Sequence, residues 1–254
     1  MVKPRYKGRC YCFIAAISDA DNSIPNDSKT RLQEAHLIKE TLDVFKGGKQ
    51  TKDYHGMFNH EYFVQWLRKL LDYLRDQGIH NTIIIMDNAK YHKRKPFDTP
   101  QQSSKKCVLQ EACAKYGVPY DAEEPKSLSW AKLSEYTAKY IEPIIRTMAK
   151  EEGHEVLFSP PHYSDLQLIE LVWAIIKGEV GRQYNVETNP KTVLERLMKA
   201  FDKLTSDQVQ GYIHKAKKNL NALYVDMMKE EDVSSAEDEV LSDESQHSDG
   251  GSDL

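Results

Sequence analysis

The stretch that most constrains the fold is a short apolar run at 83–86 that ends in an acid. Its sequence is IIIM, and Asp87 and Asn88 follow it at once. A short apolar run between polar residues is typical of a strand that is covered on both faces of a sheet. Ligands of open α/β sheets bind at the carboxyl ends of the strands, so Asp87 occupies a position that suits chemistry. Asp-Asn after a strand is also typical of a plain turn or helix cap, and the pair alone leaves both readings open.

A second stretch, at 154–177, has the pattern of a strand, a break and a helix. HEVLF predicts a short strand, and Ser159-Pro160-Pro161 ends it. From Leu166 onward the apolar residues recur at helical spacing, with Ser164 or Asp165 as the N-cap. Glu170 falls in the second turn of this predicted helix, so we expect part of its side chain to face the core. A carboxylate in such a place needs a partner, and a bound cation is one.

The segments MDNAKYH and SPPHYSDLQLIELVW resemble the second and third acidic motifs of mariner-like, DDE-type transposases. The resemblance covers residues from about 8 to about 224. It implies an α/β fold with a ribonuclease-H-like mixed sheet flanked by helices. It places the second acid on Asp87, the third on Glu170 and the family's tryptophan on Trp173. The main departure is His162, which is inserted after the two prolines.

What the resemblance implies is two-metal cleavage and strand transfer of DNA at transposon ends. In such sites carboxylates hold two Mg²⁺ or Mn²⁺ ions about 3.5–4 Å apart, one beside the attacking oxygen and one beside the leaving oxygen. Asp87 and Glu170 are the expected catalytic and metal-binding residues. The residues expected to support them are Asn88, His92, Asp165 and Trp173. The basic residues expected to contact DNA are Lys90, Lys93, Arg94, Lys177 and Arg182.

The first acid of the family motif has no counterpart in the pattern. It is expected on a strand upstream of the one predicted at Lys7–Ser18, and no apolar run containing Asp precedes that strand. Asp19 and Asp21 follow the strand, and Asp53 lies on a different element, so we do not expect any of them to substitute. Two functions stay open: a transposase-derived enzyme impaired by loss of the first acid and of the N-terminal DNA-binding region, or an inactive domesticated or remnant module that binds DNA or protein.

The chain divides into a catalytic-like domain at 1–226 and an acidic tail at 227–254. Helical periodicity within about 100–152 predicts a helical insertion in the domain, broken near Ile141–Pro143. Residues 230–254 contain ten acidic and no basic residues, which leaves 35 basic and 29 acidic residues before them. The basic body suits contact with phosphate backbones. The tail has too little apolar surface to fold alone, so we expect it to be disordered and to bind a basic partner.

The remaining features concern location and association. The sequence has no signal peptide or apolar run of membrane-spanning length, and a nuclear location follows from the resemblance. The four cysteines, Cys10, Cys12, Cys107 and Cys113, fit no zinc or disulfide framework, so we interpret them as reduced core residues. An unpaired sheet edge, left by the missing strand, favours pairing with another chain, so a homo-oligomer is expected.

Overall fold

The computed structural model describes residues 10–20, 34–47, 59–160 and 167–244, with side chains described as far as residue 228. The chain is mixed α/β, as predicted. The elements in chain order are β1 (Cys10–Ser18), β2 (His36–Gly47), α1 (His60–Asp76), β3 (Ile83–Met86), a 3₁₀ turn (Lys90–Lys93), α2 (Lys106–Tyr116), α3 (Lys126–Tyr140), α4 (Ile144–Glu151), β4 (Glu155–Phe158), α5 (Leu168–Arg182), α6 (Pro190–Asp202) and α7 (Ser206–Glu244).

The chain forms two compact units. The first consists of Met1–Ala16 and Ile38–His162, and the second of Ile17–Leu37 and Tyr163–Leu254. None of the helices in the described part of the chain is long and apolar enough to span a membrane.

The described strands form two separate two-stranded sheets. The first pairs β1 with β2. Cys10 lies beside Gly47, and the backbone N–H of Ala16 donates to the Thr41 hydroxyl, so these strands run in opposite directions. The second sheet pairs β3 with β4 in parallel. The single mixed sheet that the resemblance implies is therefore not found among the described residues.

Helix α1 joins both sheets in one core. Asn59 caps it by accepting a hydrogen bond from the backbone N–H of Tyr62, and Gly78, at φ +67°, follows its end. Asn before the first turn and Gly after the last are common helix-end signals in sequence. The apolar stripe of α1 packs against side chains from all four strands; the core residues shared in this way include Phe63, Trp66, Leu67 and Leu70 from α1, Ile14 from β1, Ile38 from β2, Ile84 and Met86 from β3, and Val156 and Phe158 from β4.

The prediction that β3 is covered on both faces is wrong. Ile84 and Met86 pack into the core, but Ile83 is 55% exposed and Ile85 is 64% exposed. Successive side chains of a strand point to opposite faces, and α1 covers only one of them. Leu157 of β4, which pairs with Ile85 of β3, is also exposed. The sheet thus has one apolar face that is open to solvent.

The helical insertion is shorter than the predicted 100–152. Helices α2 and α3 pack on each other around Leu109, Cys113 and Leu133. The chain then breaks at 141–143, as predicted, but α4 packs into the main core through Ile145 and Ala149. Both segments have helical periodicity, and the sequence alone did not show that the two apolar stripes belong to different cores.

The second unit contains α5, α6 and α7. Trp173 of α5 packs edge-on against Phe201 of α6, with ring centroids 6.1 Å apart. The backbone of α7 is helical as far as Glu244. The disorder predicted from residue 227 is therefore not confirmed for residues 227–244. The segment is rich in Glu, and it also contains Lys, Ala and Leu; these residues favour a helix even where no apolar core is available. The predicted tail beyond 244 lies outside the described residues.

The cysteine prediction holds for two of the four residues. Cys12 and Cys113 are buried, whereas Cys10 and Cys107 are exposed, and all four are free thiols. Cys10 and Cys107 each lie at the start of an element, on the side that faces solvent. For these two residues the prediction of a core position is wrong.

Candidate functional site

Asp87 stands at the carboxyl end of the parallel β3–β4 sheet, as the sequence predicted. Met86, the last residue of β3, pairs with Phe158, and the next residue on that side, Ser159, donates its backbone N–H to the carbonyl of Met86 at 2.9 Å. The Asp87 side chain that follows is 44% exposed. A half-exposed carboxylate at this edge is held by the sheet yet remains accessible to a ligand.

A histidine five residues later holds one oxygen of this carboxylate. Nε2 of His92 lies 2.7 Å from Oδ1 of Asp87, and the backbone N–H of Ala89 donates to the same oxygen at 3.3 Å. Burial acts to raise the pKa of Asp87, but the hydrogen bond and charge of His92, with the Ala89 N–H, outweigh it and lower that pKa. Asp87 is therefore ionised at neutral pH.

His92 itself is buried and tightly packed. Its ring lies edge-on to Phe63, with centroids 4.0 Å apart, and 4.2 Å from the ring of Tyr91. Its Nδ1 is buried and has no hydrogen-bond partner among the described residues. Because an N–H at that position would be a buried donor without an acceptor, the ring proton belongs on Nε2, where it is donated to Asp87. The predicted supporting role of His92 thus has a defined geometry.

The turn that carries His92 is fastened to the start of α1. Nδ1 of His60, which is also buried, is 2.9 Å from the carbonyl oxygen of Tyr91. Sequence reasoning missed His60, because nothing in the pattern of α1 links it to a turn 31 residues later. Arg94, predicted to contact DNA, forms an ion pair with Glu61 in the first turn of α1. Lys90 and Lys93 are exposed on the same turn.

Asn88, also predicted to support the site, is partly buried, and its Oδ1 has no partner among the described residues. The side-chain oxygens at this edge are those of the half-exposed Asp87 carboxylate and the buried amide oxygen of Asn88. Such hard oxygen ligands suit Mg²⁺ or Mn²⁺ and not a softer metal. The residues of this edge therefore fit the metal that the resemblance implies. No cluster of three or more acids, histidines or cysteines occurs among the described residues.

Glu170 lies in the second unit, in the first turn of α5. The prediction placed it one turn further along with its side chain near the core, and this is wrong. The helix begins at Leu168, two residues later than predicted, and its buried stripe is Val172, Trp173 and Ile176. Glu170 falls outside the stripe and is exposed, while its backbone N–H donates to the carbonyl of Gln167 at 2.9 Å.

The other predicted residues of the second unit have mixed outcomes. Trp173 is buried against Phe201, so its observed role is in packing. Lys177 is exposed, and Arg182 is exposed and paired with Glu179 at 3.0 Å. Asp165 lies outside the described residues.

The acids considered as substitutes for the first motif residue do not form a site in the described part of the chain. Asp19 pairs with Lys217 of α7 and accepts from Gln210, so its carboxylate is engaged in packing α7. Asp21 and Asp53 lie outside the described residues.

Comparison with protein-family models, with curated proteins and with solved structures gives no significant match to this chain.

Proposed function

We propose that this chain is a transposase-derived DNA-processing domain of the DDE type, with a ribonuclease-H-like ancestry. Two features support the proposal. Asp87 closes a strand, and Glu170 stands in the first turn of a helix that follows a strand and a proline break. These are the structural contexts in which the motif resemblance places its second and third acids.

The observation that carries the proposal is the state of the Asp87 carboxylate. It is ionised and half-exposed, and within the described part of the chain it is held only at Oδ1, by His92 and Ala89. Oδ1 caps the following turn through the Ala89 N–H, but Oδ2 accepts no hydrogen bond from the described residues and the side chain is half-exposed, so the carboxylate can still bind a ligand. Together with Glu170 it would hold Mg²⁺ or Mn²⁺, which when bound supplies a Lewis acid for phosphodiester cleavage and strand transfer. Lys90 and Lys93 are exposed beside the strand end and would contact the phosphate backbone.

A second candidate is an inactive, domesticated or remnant module that binds DNA or protein. The exposed apolar face formed by Ile83, Ile85 and Leu157 favours it, since such faces mark interaction surfaces. The partner of the enzyme would be DNA, whereas the second candidate would bind DNA or protein. A nuclear location, a homo-oligomer and a basic partner for the acidic tail are further parts of the proposal.

Metal binding by the two acids tests the proposal. Mn²⁺ at about 100 times its dissociation constant should stabilise the wild-type chain by about 2.7 kcal/mol, because it binds only the folded state. We expect Asp87→Asn and Glu170→Gln to lose most of this stabilisation. The measurement is the melting temperature with and without Mn²⁺, followed by nicking of a supercoiled plasmid under the same conditions.

Two exposed acids provide matched controls. Glu155 lies at the opposite end of the β3–β4 sheet from Asp87, and Glu195 lies on α6 of the same unit as Glu170. Glu155→Gln and Glu195→Gln should respond to Mn²⁺ as the wild type does. Equal stabilisation of all five proteins would contradict the proposal. Metal binding with little or no nicking would fit an enzyme impaired by loss of the first acid, whereas DNA or protein binding without metal binding would favour the second candidate.

A further inference from the structure

The Asp87 carboxylate is held at only one of its two oxygens. Oδ1 accepts both hydrogen bonds, from Nε2 of His92 at 2.7 Å and from the backbone N–H of Ala89 at 3.3 Å. Oδ2 accepts no hydrogen bond from the described residues, and the side chain is 44% exposed. We propose that His92 is a positioning residue that fixes this carboxylate so that Oδ2 alone binds the metal. This inference rests on the proposed function and names the way in which Asp87 serves it.

The hydrogen bond has a defined direction. Nδ1 of His92 is buried and has no partner among the described residues, so Nε2 is the ring nitrogen that donates its proton to Oδ1. A donor on one oxygen of a ligating carboxylate restricts its rotation and directs the other oxygen outward. Groups that orient a metal ligand in this way typically contribute a factor of about 10–100 to metal affinity.

His92 can act as a fixed donor because its own position is fixed from three sides. Phe63 and Tyr91 pack against its ring, and its backbone N–H donates to the carbonyl of Ala89 at 3.1 Å. His60 anchors this turn to α1, because its Nδ1 lies 2.9 Å from the carbonyl oxygen of Tyr91. Rigid support of this kind is what a preorganised ligand requires.

The alternative is that His92 only fills space in the core. A phenylalanine would fill the same space and would leave no buried nitrogen without a partner. The orphaned Nδ1 is an unfavourable feature that packing alone does not explain. The positioning role and the packing role therefore predict different metal affinities when the imidazole is replaced by an aromatic ring that cannot donate a hydrogen bond.

The test compares two replacements of His92 in the full chain. His92→Phe keeps the bulk and removes the donor, whereas His92→Gln keeps an N–H that can reach Oδ1. Mn²⁺ affinity is measured by electron paramagnetic resonance at a temperature at which all variants are folded. We expect His92→Phe to bind Mn²⁺ about 10–100-fold more weakly and His92→Gln to recover most of the loss. Leu70→Ala, which weakens the same core without touching the donor, should lower the melting temperature and leave Mn²⁺ affinity unchanged.

Two results would overturn the inference: wild-type Mn²⁺ affinity in His92→Phe, or equal losses in His92→Phe and His92→Gln. Asp87→Asn separates this failure from that of the proposed function. If Asp87→Asn binds Mn²⁺ as the wild type does, Asp87 is not a ligand and the proposed function fails with it. The hydrogen bond is tested without metal by ¹⁵N NMR of the His92 ring. A proton on Nε2 is expected, and a ring that carries its proton on Nδ1 alone would show that the bond to Asp87 does not exist.

Discussion

The hydroxyl of Thr41 joins the two strands of the first sheet. It accepts from the backbone N–H of Ala16 on β1 at 2.8 Å and donates to the carbonyl of Ile38 on its own strand at 2.7 Å. The carbonyl of Thr41 accepts from the indole of Trp66 at 2.7 Å, which ties the strand to α1. Thr41 is fully buried, so water cannot replace any of these bonds.

Replacing Thr41 with valine keeps the shape and removes the hydroxyl. Thr41→Val should lower the free energy of unfolding by about 2–4 kcal/mol, because the partly buried Ala16 N–H and the Ile38 carbonyl both lose the hydroxyl as a hydrogen-bond partner. Thr41→Ser keeps the hydroxyl and loses one methyl group, so it should cost only about 1 kcal/mol. Urea denaturation of both variants measures the difference. A serine variant that is less stable than the valine variant would show that packing, and not hydrogen bonding, decides this position.

At the scale of single residues, the sequence predicted the position of Asp87 better than the surroundings of Glu170. Asp87 follows β3 as expected, and His92 contacts its carboxylate. Metal binding by Asp87 and Glu170 stays a prediction. The pattern did not predict that Glu170 is exposed, because sequence defines the start of a helix after a proline break only poorly. No sequence pattern indicated a role for His60, because its contact with the Tyr91 carbonyl depends on how α1 packs on a distant turn.

Helix α3 of the insertion begins beside a buried acid. Glu124 accepts from the Ser129 hydroxyl and from the Lys132 ammonium, each at 2.7 Å, while Pro125 starts the helix. The hydrogen bond from Lys132, followed by that from Ser129, lowers the pKa of Glu124 from its ordinary value of 4.5 against the effect of burial. The insertion is thus held by an ionised side chain at its base.

The lowered pKa makes the stability of the insertion depend on pH. The contribution of Glu124 is complete above pH 4.5 and is lost as the pH falls through the lower pKa of the folded state. Glu124→Gln should therefore be less stable at pH 7 and should lose less stability between pH 5 and pH 3, as measured by the urea midpoint of the α2–α3 region. The exposed Glu135 of α3 serves as a control, because Glu135→Gln should follow the wild-type pH profile. Identical profiles for Glu124→Gln and the wild type would contradict this assignment.

At the scale of elements, local pattern was sufficient for most boundaries. The cap of α1 at Asn59, the break at 141–143 and the two short strands β3 and β4 all follow from spacing, capping and proline. The segments against which these elements pack did not follow from the local pattern. Neither the packing of α4 in the main core nor the exposure of Ile83 and Ile85 on β3 could be predicted from local pattern, because both depend on contacts between distant segments.

At the scale of the whole molecule, the two acids that the motif resemblance selects fall in different compact units. Asp87 belongs to the first unit and Glu170 to the second. The helical continuation of α7 to Glu244 adds a further element where disorder was predicted. The composition shows that this segment is acidic, but it does not predict the helical backbone. Net charge affects solubility more directly than it affects helix formation.

The central claim is that Asp87 and Glu170 bind the same metal ion, and a double-mutant cycle on Mn²⁺ affinity tests it most directly. The affinities of the wild type, Asp87→Asn, Glu170→Gln and the double variant are compared in the full chain. If the two acids share an ion, the double variant should lose less than the sum of the single losses, with a coupling energy of at least about 1 kcal/mol. Losses that add to within about 0.5 kcal/mol, or a single variant that binds Mn²⁺ as tightly as the wild type, would contradict the claim.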